Sequence, residues 1–222
     1  MKIKNVYIIV DNPNSWFLNY AKILSKKIKK LKINCSLVTN EKKLKKRGDI
    51  CFYLSCTKLT SSKTLNKFRK NVVVHGSRLP KGRGHAPWTW DIISGSNTIN
   101  LSLFEIDPTN KKPDSGPIYL RKKINLNGTE LLDEIRKTLA NNIIELSLKF
   151  IIKLRSRNLK PKKQTGKESF YRMRNPNDQE LNIKKNIISQ INLLRTADNA
   201  RWPAFFTYKK IKYYLKIFKV KN

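Results

Sequence analysis

The chain has 222 residues, with 48 Lys or Arg against 15 Asp or Glu, for a formal charge of +33. This length supports one well-buried core and a small appendage, not two full domains. No apolar run reaches the about 20 residues needed to cross a bilayer, and Met1 leads straight into strand-like sequence rather than a signal peptide. The three cysteines, Cys35, Cys51 and Cys56, lack metal-ligand spacing, and two of them fall in strand-like runs. A cytoplasmic protein with reduced thiols and no resident metal is expected. The charge leaves three readings open: nucleic-acid binding, binding of small polyanions, or a lysine-heavy surface. The lysines are scattered over nearly every loop and helix face and do not form one stripe with interleaved aromatics, so nucleic acid is the less expected partner.

In chain order, residues 3–10 (IKNVYIIV) read as a buried strand, and DNPNSW at 11–16 as a loop leading to a helix. That helix carries Phe17, Tyr20, Ala21, Leu24, Ile28 and Leu31 at helical spacing, with lysines opposite. Residues 33–39 and 49–54 are the next strands; strand–helix–strand alternation of this kind predicts a parallel α/β sheet. Val72, Val73 and Val74 form a short buried strand that runs out at His75. A helix is expected from Trp88, strands over 98–106 and 117–124, and a long helix after Gly128-Thr129. The basic, breaker-containing stretch 154–168 reads as a linker. Beyond it, Ile183, Ile187, Ile191 and Leu194 predict a helix, and 203–218 a β-hairpin turning at Lys209-Lys210.

Chemistry concentrates where β-sequence meets turns. His75 stands at a strand's C-terminal edge, above a loop rich in Gly and Pro that carries Arg78, Lys81 and Arg83. Such a position suits polarising a carbonyl and holding an anion. Asp114 lies in Pro-Asp-Ser-Gly-Pro, a tight turn before a strand. In DNPNSW, Asn12, Asn14 and Ser15 suit hydroxyl or phosphate ligands and Trp16 suits a sugar face, although turn chemistry alone favours Asn, Pro and Ser there. The basic trio equally suits a pyrophosphate or plain solvent.

Val73-x-His75, then Gly76-Ser77-Arg78-Leu79-Pro80, Arg83-Gly84 and Asp114-Ser115-Gly116 resemble the family of formyltransferases that use 10-formyltetrahydrofolate. There the strand ends in Asn-x-His, and a Pro-rich loop, an Arg-Gly step and Asp-x-Gly follow. The resemblance implies a Rossmann-like, mostly parallel sheet and a small C-terminal α+β appendage. It places the formyltransferase domain at 1–152, a linker at 153–168, and a helix with β-hairpin at 169–222. It implies catalytic roles for His75 and Asp114, acting on the developing oxyanion and the amine's proton. A folate pocket is implied along Ser55, Cys56, Thr57, Lys58 and Leu59, with a second wall at 107–114 including Pro113 and Asp114. The family's Asn falls at Val73, which cannot donate a hydrogen bond. Asn71 is about 13 Å from His75 along the strand, too far to replace it; a backbone N–H, Ser77, water or the acceptor would have to serve.

VDNPNSW, VVHGSRLPKGRGHAPWTW, DSGPIYL, RMRNPND (Arg174, Pro176, Asp178) and NLLRTADNARWPAFF are similar to one subgroup, the sugar N-formyltransferases of the pseudaminic-acid-pathway type. Val73 is normal in that subgroup, and His85 stands where Trp is common. The implied reaction moves a formyl group to the amine of a nucleotide-linked, UDP-type 4-amino sugar, for cell-surface glycans. The implied substrate contacts are Asn12, Asn14, Ser15, Trp16, Ser77, Arg78, Lys81 and Arg83. Alternatives are formylation of methionyl-tRNA, whose enzymes bear a larger C-terminal barrel, a silent binding homologue, and glycinamide ribonucleotide formylation. The apolar hairpin suits either a dimer surface or packing on the main domain.

Overall fold

The computed structural model describes residues 2–44, 46–106 and 112–220. Its centre is a six-stranded sheet built from β1 (Asn5–Ile9), β2 (Asn34–Val38), β3 (Gly48–Tyr53), β4 (Phe68–His75), β6 (Thr98–Glu105) and β7 (Ile118–Asn125), in the order β2-β1-β3-β4-β6-β7. The first four strands are parallel, while β6 is antiparallel to both β4 and β7. This is the expected α/β architecture. A parallel sheet presents the loops after its strands at one edge, where ligands bind. Here those loops follow β1, β3 and β4.

One sheet face is covered by α1 (Leu18–Lys30) and α4 (Leu132–Arg155). Val6, Ile8, Phe52 and Val72 meet Phe17, Leu24, Ile143 and Phe150 in the main core. Phe150 lies edge-on to Phe52 at 5.9 Å and to Tyr119 at 5.0 Å, the geometry favoured by ring quadrupoles. The other face carries a smaller cluster of Ile9, Cys51, Tyr53, Leu65 and Phe68, beside α2 (Ser62–Leu65). Side chains alternate along a strand, so Asn71, Val73 and His75 share the face away from α4.

The helix α4 passes residue 152 and ends at Arg155, so the expected linker begins inside it. The rest of 153–168 is no free tether: Lys162 bridges to Ile118, and β8 (Phe170–Tyr171) pairs with β5 (Arg83–Gly84). The helix expected through Ile183 and Ile187 is not formed; only α5 (Ile191–Thr196) is α-helical there. Asn182 and Asn186 accept from the backbone N–H groups of Lys184 and Ser189, at 2.9 and 2.8 Å, and Gln190 accepts from Asn182 N–H at 2.7 Å. Such local bonds compete with the helical ladder. Ile183, Ile187 and Ile188 are consequently exposed. The hairpin β9 (Ala204–Tyr208) and β10 (Ile211–Leu215) turns at Lys209 and Lys210 as expected, both at positive φ, the hand that matches strand twist.

Arg195 ties the C-terminal segment to the main body. Its side chain is 1% exposed, and it donates to Glu130 O, Glu130 Oε2 and Asn97 Oδ1 at 3.0, 3.0 and 2.9 Å. Burial opposes ionisation of Glu130, but N–H donors from Asn127 and Gly128 and the Arg195 charge hold its carboxyl below the usual range. Removing one member of a buried pair strands the other. Arg195→Ala is expected to lose about 3 kcal/mol in urea unfolding. Glu130 has a lowered folded pKa, so its contribution is complete above the ordinary glutamate value and fades as pH falls through the folded one. The stability gap between the native chain and Glu130→Gln should therefore be full at pH 7 and shrink below pH about 4.

Candidate active site

Four residues after Asn71, β4 ends at His75, paired across to Ser102 of β6. Asn71 is 4% exposed and committed elsewhere, accepting from Tyr53 Oη and donating to Leu65 O, both at 2.9 Å. His75 Nε2 lies 2.9 Å from Gly82 O and 3.9 Å from Asp114 Oδ2. A carbonyl only accepts, so the bond to Gly82 requires the proton on Nε2 and leaves Nδ1 of the neutral ring with a lone pair. Asp114 adopts φ +52°, and its Oδ2 accepts from Gly84 N–H at 2.9 Å. The two side chains are 11% and 19% exposed, so their attraction is stronger than in free solvent.

Glycines make this approach possible. A Cβ on Gly84, which sits at φ +93°, would lie 2.2 Å from Tyr171 O, and one on Gly116 would lie 1.7 Å from Glu105 O. The loop after His75 is held from below: Ser102 Oγ donates to Ser77 O at 2.7 Å and accepts from Leu79 N–H at 3.3 Å. Arg78 and Lys81 are exposed, as a substrate role requires. Ser77 and Arg83 face inward instead. Ser77 is 2% exposed, and its hydroxyl has no partner among the described residues. Arg83 is buried, with its guanidinium bonded to Gln164 and Glu168. Both are buried, so neither presents its side chain at the surface in this structure. Periodicity cannot tell which way an irregular loop faces.

The neighbouring wall joins the loops after β1 and β3. Asp11 Oδ2 accepts from the N–H groups of Thr57 and Lys58, at 2.7 and 2.8 Å. Those two amides are thereby spent, and the loop presents exposed Ser55, Thr57, Lys58 and Leu59. Cys56 donates to Ile9 O at 3.4 Å. Burial, then the nearby Asp11 charge, push its thiol up to about 12, so it is neutral at physiological pH. Ser15 contacts Ser55 through their hydroxyls at 3.1 Å. Asn12 and Asn14 are exposed, whereas Trp16 is half-buried, edge-on to Phe17 and beneath Arg136. Pro113 is exposed; 107–111, the remainder of the expected second wall, lies outside the described residues.

Three participants escaped the sequence reading. Asp11 had a readable signal, an acid where a buried strand ends. Gln164 had none inside its basic run. Arg201, in the C-terminal segment, donates to Asn14 O at 2.7 Å across 187 positions, a contact no local pattern announces.

No family model matches the chain. It is 30% identical over 137 residues to the methionyl-tRNA formyltransferase of Thermodesulfovibrio yellowstonii, covering 62% of this chain and 43% of that protein. The chain spans less than half the length of the curated relatives it matches first. Among solved structures, a methionyl-tRNA formyltransferase from Clostridium thermocellum superposes with a TM-score of 0.79 at 21% identity, over 99% of this chain and 94% of that one. A sugar N-formyltransferase from Shewanella sp. gives 0.71 at 15% identity, over 98% and 99%. By fold and by sequence kinship the chain is thus a relative of the formyltransferases.

Proposed function

We propose that the protein transfers a formyl group from 10-formyltetrahydrofolate to the amine of a nucleotide-linked 4-amino-deoxy sugar, with UDP as the expected nucleotide. The observation that carries the reaction type is the half-buried His75–Asp114 pair, 3.9 Å apart at the sheet edge. The wall after β3 suits a flat heteroaromatic donor: Leu59 is 80% exposed and offers an apolar surface beside exposed Ser55, Thr57 and Lys58. The donor supplies a formyl carbon on a nitrogen that departs as an amine.

The chain's own residues manage charge and protons. As the acceptor nitrogen bonds to the formyl carbon, the Nδ1 lone pair of His75 takes its proton. Asp114 balances the imidazolium, whose charge then faces the oxygen that gains electrons. When the bond to the donor nitrogen breaks, the same proton passes to that nitrogen, and formamide and amine result. Val73 adds no donor here, and a missing oxyanion donor typically costs about 3 kcal/mol of barrier. On the acceptor side, exposed Asn12 and Asn14 suit sugar hydroxyls, and Arg78 and Lys81 a pyrophosphate. Whole-chain superposition, appendage included, fits the sugar and the methionyl-tRNA acceptor alike, so the sugar reading rests on these acceptor-side residues.

A second reading, formylation of methionyl-tRNA, is favoured by the charge of +33 and by the curated relatives. The two separate by salt: tRNA binding would weaken steeply as salt rises, with a log–log slope set by the phosphates neutralised. On the sugar reading, a UDP-amino sugar added with a folate analogue raises Tm, by the equivalent of about 2.7 kcal/mol at a hundredfold excess over Kd. Uncharged tRNA does not. His75→Ala and Asp114→Asn should each lower kcat by about a hundredfold or more with Tm largely kept. Undiminished turnover in both variants would refute their roles.

A further inference from the structure

The segment read as a linker is a strap beside the site, and one side chain in it bonds both the Asp114 turn and Arg83 of the loop after His75. Gln164 Nε2 donates to Asp114 O and to Gly116 O, both at 2.8 Å. Its Oε1 accepts from Arg83 Nη2 at 2.9 Å. Both amide hydrogens and the carbonyl are therefore engaged. Arg83 stands between the two glycines that hold the pair: Gly82, whose carbonyl receives His75 Nε2, and Gly84, whose N–H holds Asp114 Oδ2.

The strap continues this clamp. Ser169 takes Gly82 N–H on its hydroxyl and Arg83 N–H on its carbonyl, both at 2.9 Å, and Tyr171 O takes His85 N–H at 3.0 Å. Glu168 meets both Arg83 and Lys112. Asp114 itself needs such support, because φ +52° is a conformation that a non-glycine residue holds only when its surroundings impose it. The two donations from Gln164 act on the carbonyls at and just beyond that residue. From this we infer that Gln164 is a positioning residue that sets the separation of His75 and Asp114, reaching Asp114 through its own carbonyl and His75 through Arg83 and Gly82. Its consequence for turnover rests on the formyl-transfer reading; its consequence for the geometry does not.

Gln164→Glu preserves shape and the acceptor for Arg83 but turns an oxygen toward two carbonyl oxygens. Gln164→Met removes both donations and the acceptor without opening a large cavity. The chain has only two histidines, so ring-nitrogen spectra of 15N-histidine-labelled protein are assigned by one His85→Gln control. The His75 Nε2 resonance is expected to move in both Gln164 variants, while amide spectra and Tm report a folded protein. With donor and amino-sugar acceptor, kcat should fall by about a hundredfold with little change in either KM, the pattern of a displaced reacting group rather than lost binding. An unmoved His75 resonance in both folded variants overturns the positioning role. So does an unchanged kcat where the native protein turns over. If the native protein turns over no amino sugar, the amino-sugar reading fails separately, and the resonance alone decides the role of Gln164.

Discussion

A single backbone carbonyl, that of Gly82, decides what the imidazole of His75 can do. It takes the Nε2 proton at 2.9 Å and so leaves the opposite ring nitrogen as the basic one. That bond exists only if the loop after β4 folds back over its own strand. The loop does so because its interior is bonded to Ser102 beneath and to the strap 162–171 beside it. Asp114 is delivered to the same place by the connection between β6 and β7, where Gly116 packs against the Glu105 carbonyl too closely for any side chain. The geometry at the sheet edge is thus set by contacts between elements distant in sequence, as a preorganised site requires.

The scarce acids of this basic chain are spent on joints. Asp11 binds the loop after β3 to the loop after β1, and Glu130 receives Arg195. Asp198 pairs with Arg136 at 3.0 Å, and Asp178 with Arg172. Asp178 is held below the usual carboxylate range by the Arg172 guanidinium. The first three join segments distant in sequence, and the last closes a local turn. The lysines, by contrast, are mostly exposed and mark no single groove. A field of one sign raises encounter rates with anionic partners without choosing among them.

Much of the fold was legible because apolar runs and breakers carry it. IKNVYIIV, DICFYL and NVVVH are largely buried strands, and the α4 stripe from Ile135 to Phe150 is core. The approach of His75 and Asp114 was legible because one ends a strand and the other lies in a Gly- and Pro-bearing turn ahead of the next strand. What was not legible rests on polar contacts that no periodicity announces. The loop at Ser77 is held through its carbonyl by Ser102 Oγ, Arg83 is turned inward by Gln164 and Glu168 of the strap, and Ile183 and Ile187 lie outside any helix because Asn182 and Asn186 bond local backbone N–H groups. Composition reports such residues as loop-like and is silent on what they grip.

The central proposal is that His75, supported by Asp114, passes a formyl carbon from the donor nitrogen to the nitrogen of a nucleotide-linked amino sugar. Its most direct test follows that carbon: a 13C-formyl donor is mixed with the protein and a UDP-4-amino sugar, and the label is tracked by NMR. The account predicts a formamide resonance on the sugar nitrogen, growing as the donor signal falls. Label that stays on the donor, or appears only as formate at the rate seen without protein, would contradict it.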